Sequence, residues 1–296
     1  MKQIKKLAAL LLAMTMVLAL CACSNQDSTP STTPSAPAEN SAPAENSAEP
    51  AQGGGSAEFT TIEPGKLLMV TNAAFPPYEM TDDAGNIIGI DPEIAQAIAD
   101  KLGLELVIDN IDFDAALISV QENRSDVMLA GLSYREDRDL VMDFTDKYAT
   151  GVQVIIVNEG DTTIAGTNDD LQLIDADGNV LEDIQIGVQR GTTGEIYCQD
   201  AHGADHVTSL DNGSLAVQAL ISGQVDCVVI DNGPAQEYVN ANPGLEILTA
   251  AYVEEDYCAA VDEGNTALLN AVNTALNELI ADGTVQRIID KYIAAD

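Results

Sequence analysis

Gly131-Leu132-Ser133-Tyr134-Arg135-Glu136-Asp137-Arg138 closes an apolar run, Val127-Met128-Leu129-Ala130, and then turns polar. Read as the end of a strand leading into a helix, this order gathers the Ser133 hydroxyl and unpaired N–H groups at one point. Arg138, five residues on, is then able to fold back over that point. A helix start offers free donors, and a guanidinium fork matches the two oxygens of a carboxylate. The stretch therefore reads as a corner built to hold a carboxylate.

On either side the chain alternates between short apolar runs and helical periodicity. Leu67 to Val70 reads as a strand, and Ile87 to Ile90 as another after an Asp-Asp-Ala-Gly-Asn turn. Asp91, as N-cap, and Pro92, at the first helical position, then open a helix in which Ile94, Ile98 and Leu102 share a face, with Gly103 ending it. Leu104 to Ile108 predicts a strand, Asp114 to Glu122 a helix, and Val127 to Leu132 a strand. A second series follows: strands over Val152 to Val157 and Ile184 to Gln189, then Gly191-Thr192-Thr193-Gly194 leading into a helix. Val207 to Leu210, a helix over Ser214 to Ile221, and Val225 to Ile230 continue it. Leu269, Val272, Leu276 and Ile280 mark a long amphipathic helix, with a shorter one after Gly283. Strands alternating with helices specify α/β layers, and the two series specify two lobes.

The first residues stand apart. Lys2, Lys5 and Lys6 precede an apolar run from Leu7 to Leu20, then Cys21-Ala22-Cys23. A basic start, an apolar core and a small residue before the cut form an export signal over residues 1–22. That run is shorter than the ~20 residues a helix needs to cross a bilayer, and no later stretch is a candidate span. Residues 23–57 are Ser, Thr, Pro, Ala, Glu, Asn and Gly, with Ser35-Ala36-Pro37-Ala38-Glu39-Asn40 repeated at Ser41 to Asn46. No core can be built from this composition, so it reads as a disordered tether spanning on the order of 30 Å.

The 296 residues carry 12 basic and 48 acidic side chains, a net charge of −36. Removing the signal takes three lysines and no acids, leaving 9 − 48 = −39. Such a surface repels nucleic acid and anionic lipid. Cys198, Cys227 and Cys258 have no close-pair or zinc spacing; Cys227 reads as a buried small hydrophobe, and a disulfide between two of the three stays open. His202 and His206 read as solvated surface, and no metal or other cofactor is expected.

In order and spacing, these blocks resemble the amino-acid-specific solute-binding proteins of ABC importers, from Leu67 to Tyr292. The likeness rests on Asn72-Ala73-Ala74-Phe75-Pro76-Pro77-Tyr78-Glu79, Gly89-Ile90-Asp91 and Phe113 to Leu117. It continues through Ser125-Asp126-Val127, Gly131 to Arg138, Asp143-Phe144-Thr145, Gly187 to Gly194, Gly223 to Asp226 and Ala281 to Thr284. Leu20-Cys21-Ala22-Cys23 resembles a bacterial lipobox, which implies lipidation at Cys23. The family implies a periplasmic-binding-protein type II fold, an α/β architecture of two lobes with two hinge crossings and a cleft between the lobes. Here one lobe would comprise residues 58–150 plus 250–296 and the other 151–249, with crossings near Tyr148 to Gly151 and Thr249 to Tyr252.

The resemblance further implies a free amino acid as ligand, an ABC permease with its ATPase subunits as partner, a monomer, and a lipid anchor to the membrane. Arg138 would pair with the ligand α-carboxylate, helped by Ser133 and by Thr192 or Thr193 from the opposite lobe. Asp231 and the Gly131 carbonyl would take the α-ammonium. The side chain would lie against Asn72, Phe75 and Phe113, with Gln189 near the rim. Several relatives have an acid where Asn72 stands, so the pattern points away from a cationic side chain and toward a polar or neutral one. A zwitterion entering a closed cleft loses water from both charges, and each needs a fixed partner to offset the loss.

Two other functions suit the same fold. A few relatives are dehydratases acting on cyclic carboxylates, for which Glu79 and Glu195 are the nearest acid or base candidates here. A sensor domain would be followed by a membrane span, and none follows in this sequence. Finally, Thr162 to Asp183 replaces a shorter connection in most relatives and reads as a small hairpin away from the cleft. Its Asp175-Ala176-Asp177-Gly178-Asn179 turn lacks the full ligand series of a calcium loop.

Overall fold

The computed structural model describes residues 59–248 and 252–293. The expected export segment, Cys23 and the linker 23–57 lie outside the described residues.

The first series begins with β1 (Lys66–Thr71), then three short strands, β2 (Ala74–Phe75), β3 (Glu79–Thr81) and β4 (Ile87–Ile88). Next come α1 (Ile90–Leu102), β5 (Glu105–Asn110), α2 (Phe113–Gln121), β6 (Val127–Met128) and the 17-residue β7 (Met142–Asn158). The second series contains β8 (Gly166–Thr167), β9 (Leu173–Ile174), β10 (Ile186–Gln189), α3 (Thr193–His202), β11 (Val207–Leu210) and α4 (Gly213–Ile221). It continues with β12 (Cys227–Asp231), α5 (Asn232–Ala241) and β13 (Leu245–Ile247). The chain then runs through β14 (Val253–Asp262), α6 (Thr266–Ala281) and α7 (Thr284–Tyr292).

The strand order β11-β10-β12-β7-β14-β6-β1-β5 contains the same unit twice. In each, a central parallel strand (β1 or β10) has its next parallel neighbour on one side (β5 or β11) and the following one on the other (β6 or β12). Where the order reverses, a crevice opens beyond the carboxyl ends of the central strand and the third, the place where open α/β sheets bind ligands. Two such crevices, one per lobe, set the position of the site.

Hydrophobic burial fixes each unit. Helix α1 buries Ile94 and Ile98 in one core cluster with Leu67 and Met69 of β1, all at most 1% exposed. Each such side chain contributes about 1.5–3 kcal/mol of transfer energy. The second lobe has its own cluster, with Ile155, Ile186, Val188, Cys198 and Cys227 wholly buried. Cys198, Cys227 and Cys258 are all free thiols.

The lobes are joined by β7 and β14, paired antiparallel from Val253 opposite Gln153 to Asp262 opposite Met142, with irregularities around Cys258. Opposite the expected crossing at Tyr148 to Gly151, the register sets Glu255, Asp256 and Tyr257. Of the other expected crossing, Thr249 to Ala251 lie outside the described residues. At Gly151 any β-carbon would collide with the Tyr257 ring and with the Asp231 carboxylate, so only glycine lets these groups pack there.

Several local expectations need correction. The strand expected over Ile87 to Ile90 ends at Ile88, and α1 starts at Ile90 with Gly89 as its N-cap. Asp91 is therefore not a cap: it lies inside the first turn, wholly buried, and its carboxylate accepts from Gly131 N–H and Tyr148 Oη–H. The strand expected to reach Leu132 ends at Met128. No helix follows Ser133; residues 136–141 are turns, because the Arg138 carbonyl takes the N–H of both Val141 and Met142 and sends the chain into β7. His202 is not solvated surface either, since its Nε2 accepts the Leu173 N–H and burial lowers its pKa.

That bond belongs to the insertion. Strands β8 and β9 pair as a hairpin, and Asp175 closes the following turn by accepting from the N–H groups of Asp177 and Asn179. Tyr252 donates to the Leu171 carbonyl and Gln172 to that of Ala201, which ties the hairpin to the second lobe.

Candidate functional site

Asn72 follows β1, and Ala130 to Ser133 follow β6; Gln189 ends β10, and Asp231 ends β12. These four carboxyl ends converge on one cavity. All ten residues singled out from the sequence line it: Asn72, Phe75, Phe113, Gly131, Ser133, Arg138, Gln189, Thr192, Thr193 and Asp231. Glu79, Ala130, Gln153 and Ile230 complete the wall.

Arg138 is 7% exposed. Its Nη1 donates to the Ser133 carbonyl at 2.9 Å and its Nη2 to the Gly191 carbonyl at 2.9 Å, one partner from each lobe. Its guanidinium also sits 5.8 Å from the centre of the Phe113 ring. Burial, reinforced by nearby Arg135, lowers its pKa to about 10, which leaves it charged at neutral pH.

Gly131 has φ 53°, a left-handed conformation glycine adopts without strain, and Phe75 Cε1 lies 2.6 Å from where a β-carbon would sit. Glycine thus lets the aromatic wall close against the backbone. Ser133 forms an isolated bridge with Tyr257 in which the flanking residues supply the hydrogen bonds, so its own N–H and C=O are not spent there. On the opposite wall, Thr192 caps α3 by accepting from Glu195 N–H, and Thr193 begins the helix, placing its amino end at the cavity. A helix start favours negative charge.

A buried acid from β14 ties these groups together. Glu255 accepts from Ser133 Oγ at 3.0 Å, Gln153 Nε2 at 3.0 Å, Thr193 Oγ1 at 2.8 Å and Tyr197 Oη at 2.8 Å. Gln153 also donates to Asp231 Oδ2 at 2.7 Å, while Asp231 Oδ1 is buried without a partner. Burial pushes the Asp231 carboxyl up to about 7, and the Glu255 charge pushes the same way.

Gln189 is not at the rim as expected. It is 2% exposed and donates to Asn72 Oδ1 at 3.1 Å, across the cavity from one lobe to the other. Glu195 lies away from the cavity wall, where it accepts from Gly191 N–H and Gln199 Nε2 and stabilises the loop before α3. Sequence reasoning missed Gln153, Glu255 and the place of Glu79 in the wall. Gln153 was detectable as a lone amide in the apolar run Val152 to Val157; Glu255, between Glu254 and Asp256, looked like solvated charge.

A two-lobed α/β protein with a closed, doubly charged cavity at the hinge is a solute-binding architecture. The chain belongs to the bacterial extracellular solute-binding proteins, family 3, whose model matches residues 67–295. It is 28% identical to a probable histidine-binding protein of Neisseria gonorrhoeae over 249 residues, which are 82% of this chain and 89% of that protein. It is 29% identical to the L-cystine-binding protein TcyJ of Escherichia coli K12 over 237 residues, 79% of this chain and 85% of that one. Among solved structures it resembles an ancestral arginine-binding protein bound to glutamine, with 36% identity and a TM-score of 0.71, covering 79% of this chain and all of that one.

Proposed function

We propose that this protein is the extracytoplasmic binding component of an ABC importer, capturing a free amino acid in the interlobe cleft and delivering it to a permease with its ATPase subunits. The observation that carries the reading is the pair Arg138 and Asp231: opposite charges, both at most 7% exposed, lining one cavity from different lobes. Arg138, with the N–H groups of Ser133 and of Thr193 at the start of α3, takes the α-carboxylate. Asp231, through its unpartnered Oδ1, takes the α-ammonium together with the Gly131 carbonyl.

A ligand held at both poles bridges the lobes, so its binding energy favours the closed form. The side chain lies against Asn72, Phe75 and Phe113, beside Gln189, which suits a polar group. The ligands in the relatives' names, histidine, cystine and arginine, and the glutamine complex of the ancestral protein support an amino acid as solute.

The lobe boundaries that fit this mechanism are 58–150 with 250–296, and 151–249. Export by residues 1–22 and lipidation at Cys23 would hold a monomeric protein on the outer face of the membrane, free to swing on its linker. Calorimetry of the purified protein against the common amino acids tests the proposal. One-to-one binding of at least one of them is expected, and no heat with any of them overturns it.

A further inference from the structure

Glu79 and Asp91 are both wholly buried, and Glu79 Oε1, Glu79 Oε2 and Asp91 Oδ1 meet no donor. The backbone brings the two acids together. Asp91 N–H donates to the Tyr78 carbonyl at 3.0 Å. A β-carbon at Gly89 would collide with that same carbonyl and lie 2.9 Å from Glu79 Cα, so the start of α1 is seated directly on β3. Tyr78, from the turn before β3, and Tyr148 of β7 face the pair, with Asp231 of β12 and Tyr257 of β14 beyond Tyr78. None of these is a base. Two adjacent carboxylates do not both stay ionised in such surroundings, and one proton held between them satisfies what the fold leaves open.

The remaining oxygen shows where the proton sits. Asp91 Oδ2 accepts from Gly131 N–H at 2.7 Å and from Tyr148 Oη–H at 2.8 Å, and two donated bonds favour the ionised form. Glu79 accepts none, so it is the acid that stays neutral and donates. Burial, with Asp91 beside it, pushes the Glu79 carboxyl well above the usual carboxylate range, whereas that of Asp91 rises only to about 6. Both donors to Asp91 matter to the site. One is the peptide N–H of Gly131, in the cavity wall; the other is the hydroxyl of Tyr148, in the hinge strand β7.

We propose that Glu79 is a positioning residue for the ligand site, a neutral carboxylic acid that donates to Asp91 Oδ1 and so holds the Asp91 carboxylate on Gly131 and Tyr148. This rests on the amino-acid reading, in which the Gly131 carbonyl takes the α-ammonium. Without the donor, Asp91 either takes up a proton itself or keeps a bare oxygen in a dry wall. Either outcome loosens its grip on Gly131 N–H and lets the peptide drift. Glu79 needs no charge and no contact with the ligand to act in this way, so it affects every bound amino acid alike.

The test sets Glu79→Gln, which keeps a donor without a titratable proton, against Glu79→Leu, which keeps the bulk and removes the donor. Calorimetry with each common amino acid that the wild type binds should show Glu79→Leu at least about tenfold weaker than Glu79→Gln, the scale of one hydrogen bond to a charged group. The ratio should be the same for all of them. Infrared spectra of the unliganded wild type at pH 8, where Asp91 and Asp231 are largely ionised, should contain the carbonyl band of a protonated carboxylic acid. Glu79→Gln should lack that band. Should Glu79→Leu fail to fold, Asp91→Asn, which removes the charge from the same acceptor, takes its place in the comparison. Absence of the band from the wild type, or equal affinities in Glu79→Gln and the donor-breaking variant, overturns the positioning role while leaving the amino-acid reading intact. A wild type that binds no amino acid overturns that reading and the role with it.

Discussion

At one end of the cavity the Glu255 carboxylate accepts four hydrogen bonds and the Arg138 guanidinium reaches a carbonyl on each lobe; at the other, Glu79 accepts none. The first end is assembled by the fold itself. Its guanidinium and the backbone around it are oriented before any ligand arrives, so little ordering entropy is spent on binding. That suits a group every amino acid shares. At the second end Glu79 is wholly buried, and burial with Asp91 beside it pushes its carboxyl well above the usual carboxylate range. In the proposed reading, preorganisation at the first end supplies affinity for the class of amino acids as a whole.

The largest expected effect breaks the preassembled end. Arg138→Ala removes one member of a buried charged pair, a loss of about 3–5 kcal/mol that weakens every amino acid by roughly 10²–10⁴-fold. Titration calorimetry reads it directly, and a loss under tenfold would mean the α-carboxylate is held elsewhere. Equal loss for two amino acids with different side chains would sharpen the comparison, since this end does not distinguish side chains.

Acid should come next. With the Asp231 carboxyl pushed up to about 7 in the empty protein, a bound α-ammonium must displace a proton below that pH. Affinity should therefore fall by up to about tenfold per unit from pH 7 downward, roughly 30-fold by pH 5.5. The unliganded protein should move the opposite way. Asp91, raised to about 6, and Asp231 bind protons more tightly folded than unfolded. Their contribution to stability is full below the ordinary carboxylate range and is lost as pH rises through about 6 and 7. The exposed carboxyls held below their usual values, Asp82, Asp146, Asp175 and Asp282, titrate only under more acidic conditions. Melting of the empty protein should accordingly be higher at pH 5.5 than at pH 8, with the ligand-induced shift larger at pH 8. A shift that grows in acid would contradict the Asp231 pairing.

The smallest effect concerns the network behind the site. Glu255→Gln keeps the shape but removes the charge that four donors share, and about 1–2 kcal/mol is the expected cost, felt as roughly tenfold weaker binding. Unchanged affinity with a lower melting temperature would make Glu255 a purely structural strut between the lobes.

How much of this the sequence revealed depended on whether a residue's partner was local. The α/β alternation was legible because apolar periodicity is local, and Gly131 to Arg138 was legible because its groups act within five residues. The hinge strands were not. β7 was visible only over its apolar part, Val152 to Val157, because Asp143, Thr145, Asp146 and Lys147 break the alternation where the strand leaves one core for the other. β14 was missed because Glu254-Glu255-Asp256 reads as solvated charge, although Glu255 is 7% exposed. Asp91 looked like a helix cap; its real partners, Gly131 and Tyr148, stand 40 and 57 residues away. Glu79 stood out only as part of the resemblance and as an acid or base candidate, since nothing local marks an acid as wholly buried.

The central claim is that the two lobes grip opposite poles of one amino acid, and a crystal structure of the protein grown with an amino acid that calorimetry shows to bind tests it most directly. The account predicts the α-carboxylate on Arg138 and the α-ammonium on Asp231 Oδ1. A ligand bound outside this cavity, with Arg138 and Asp231 contacting only protein or solvent, would contradict it.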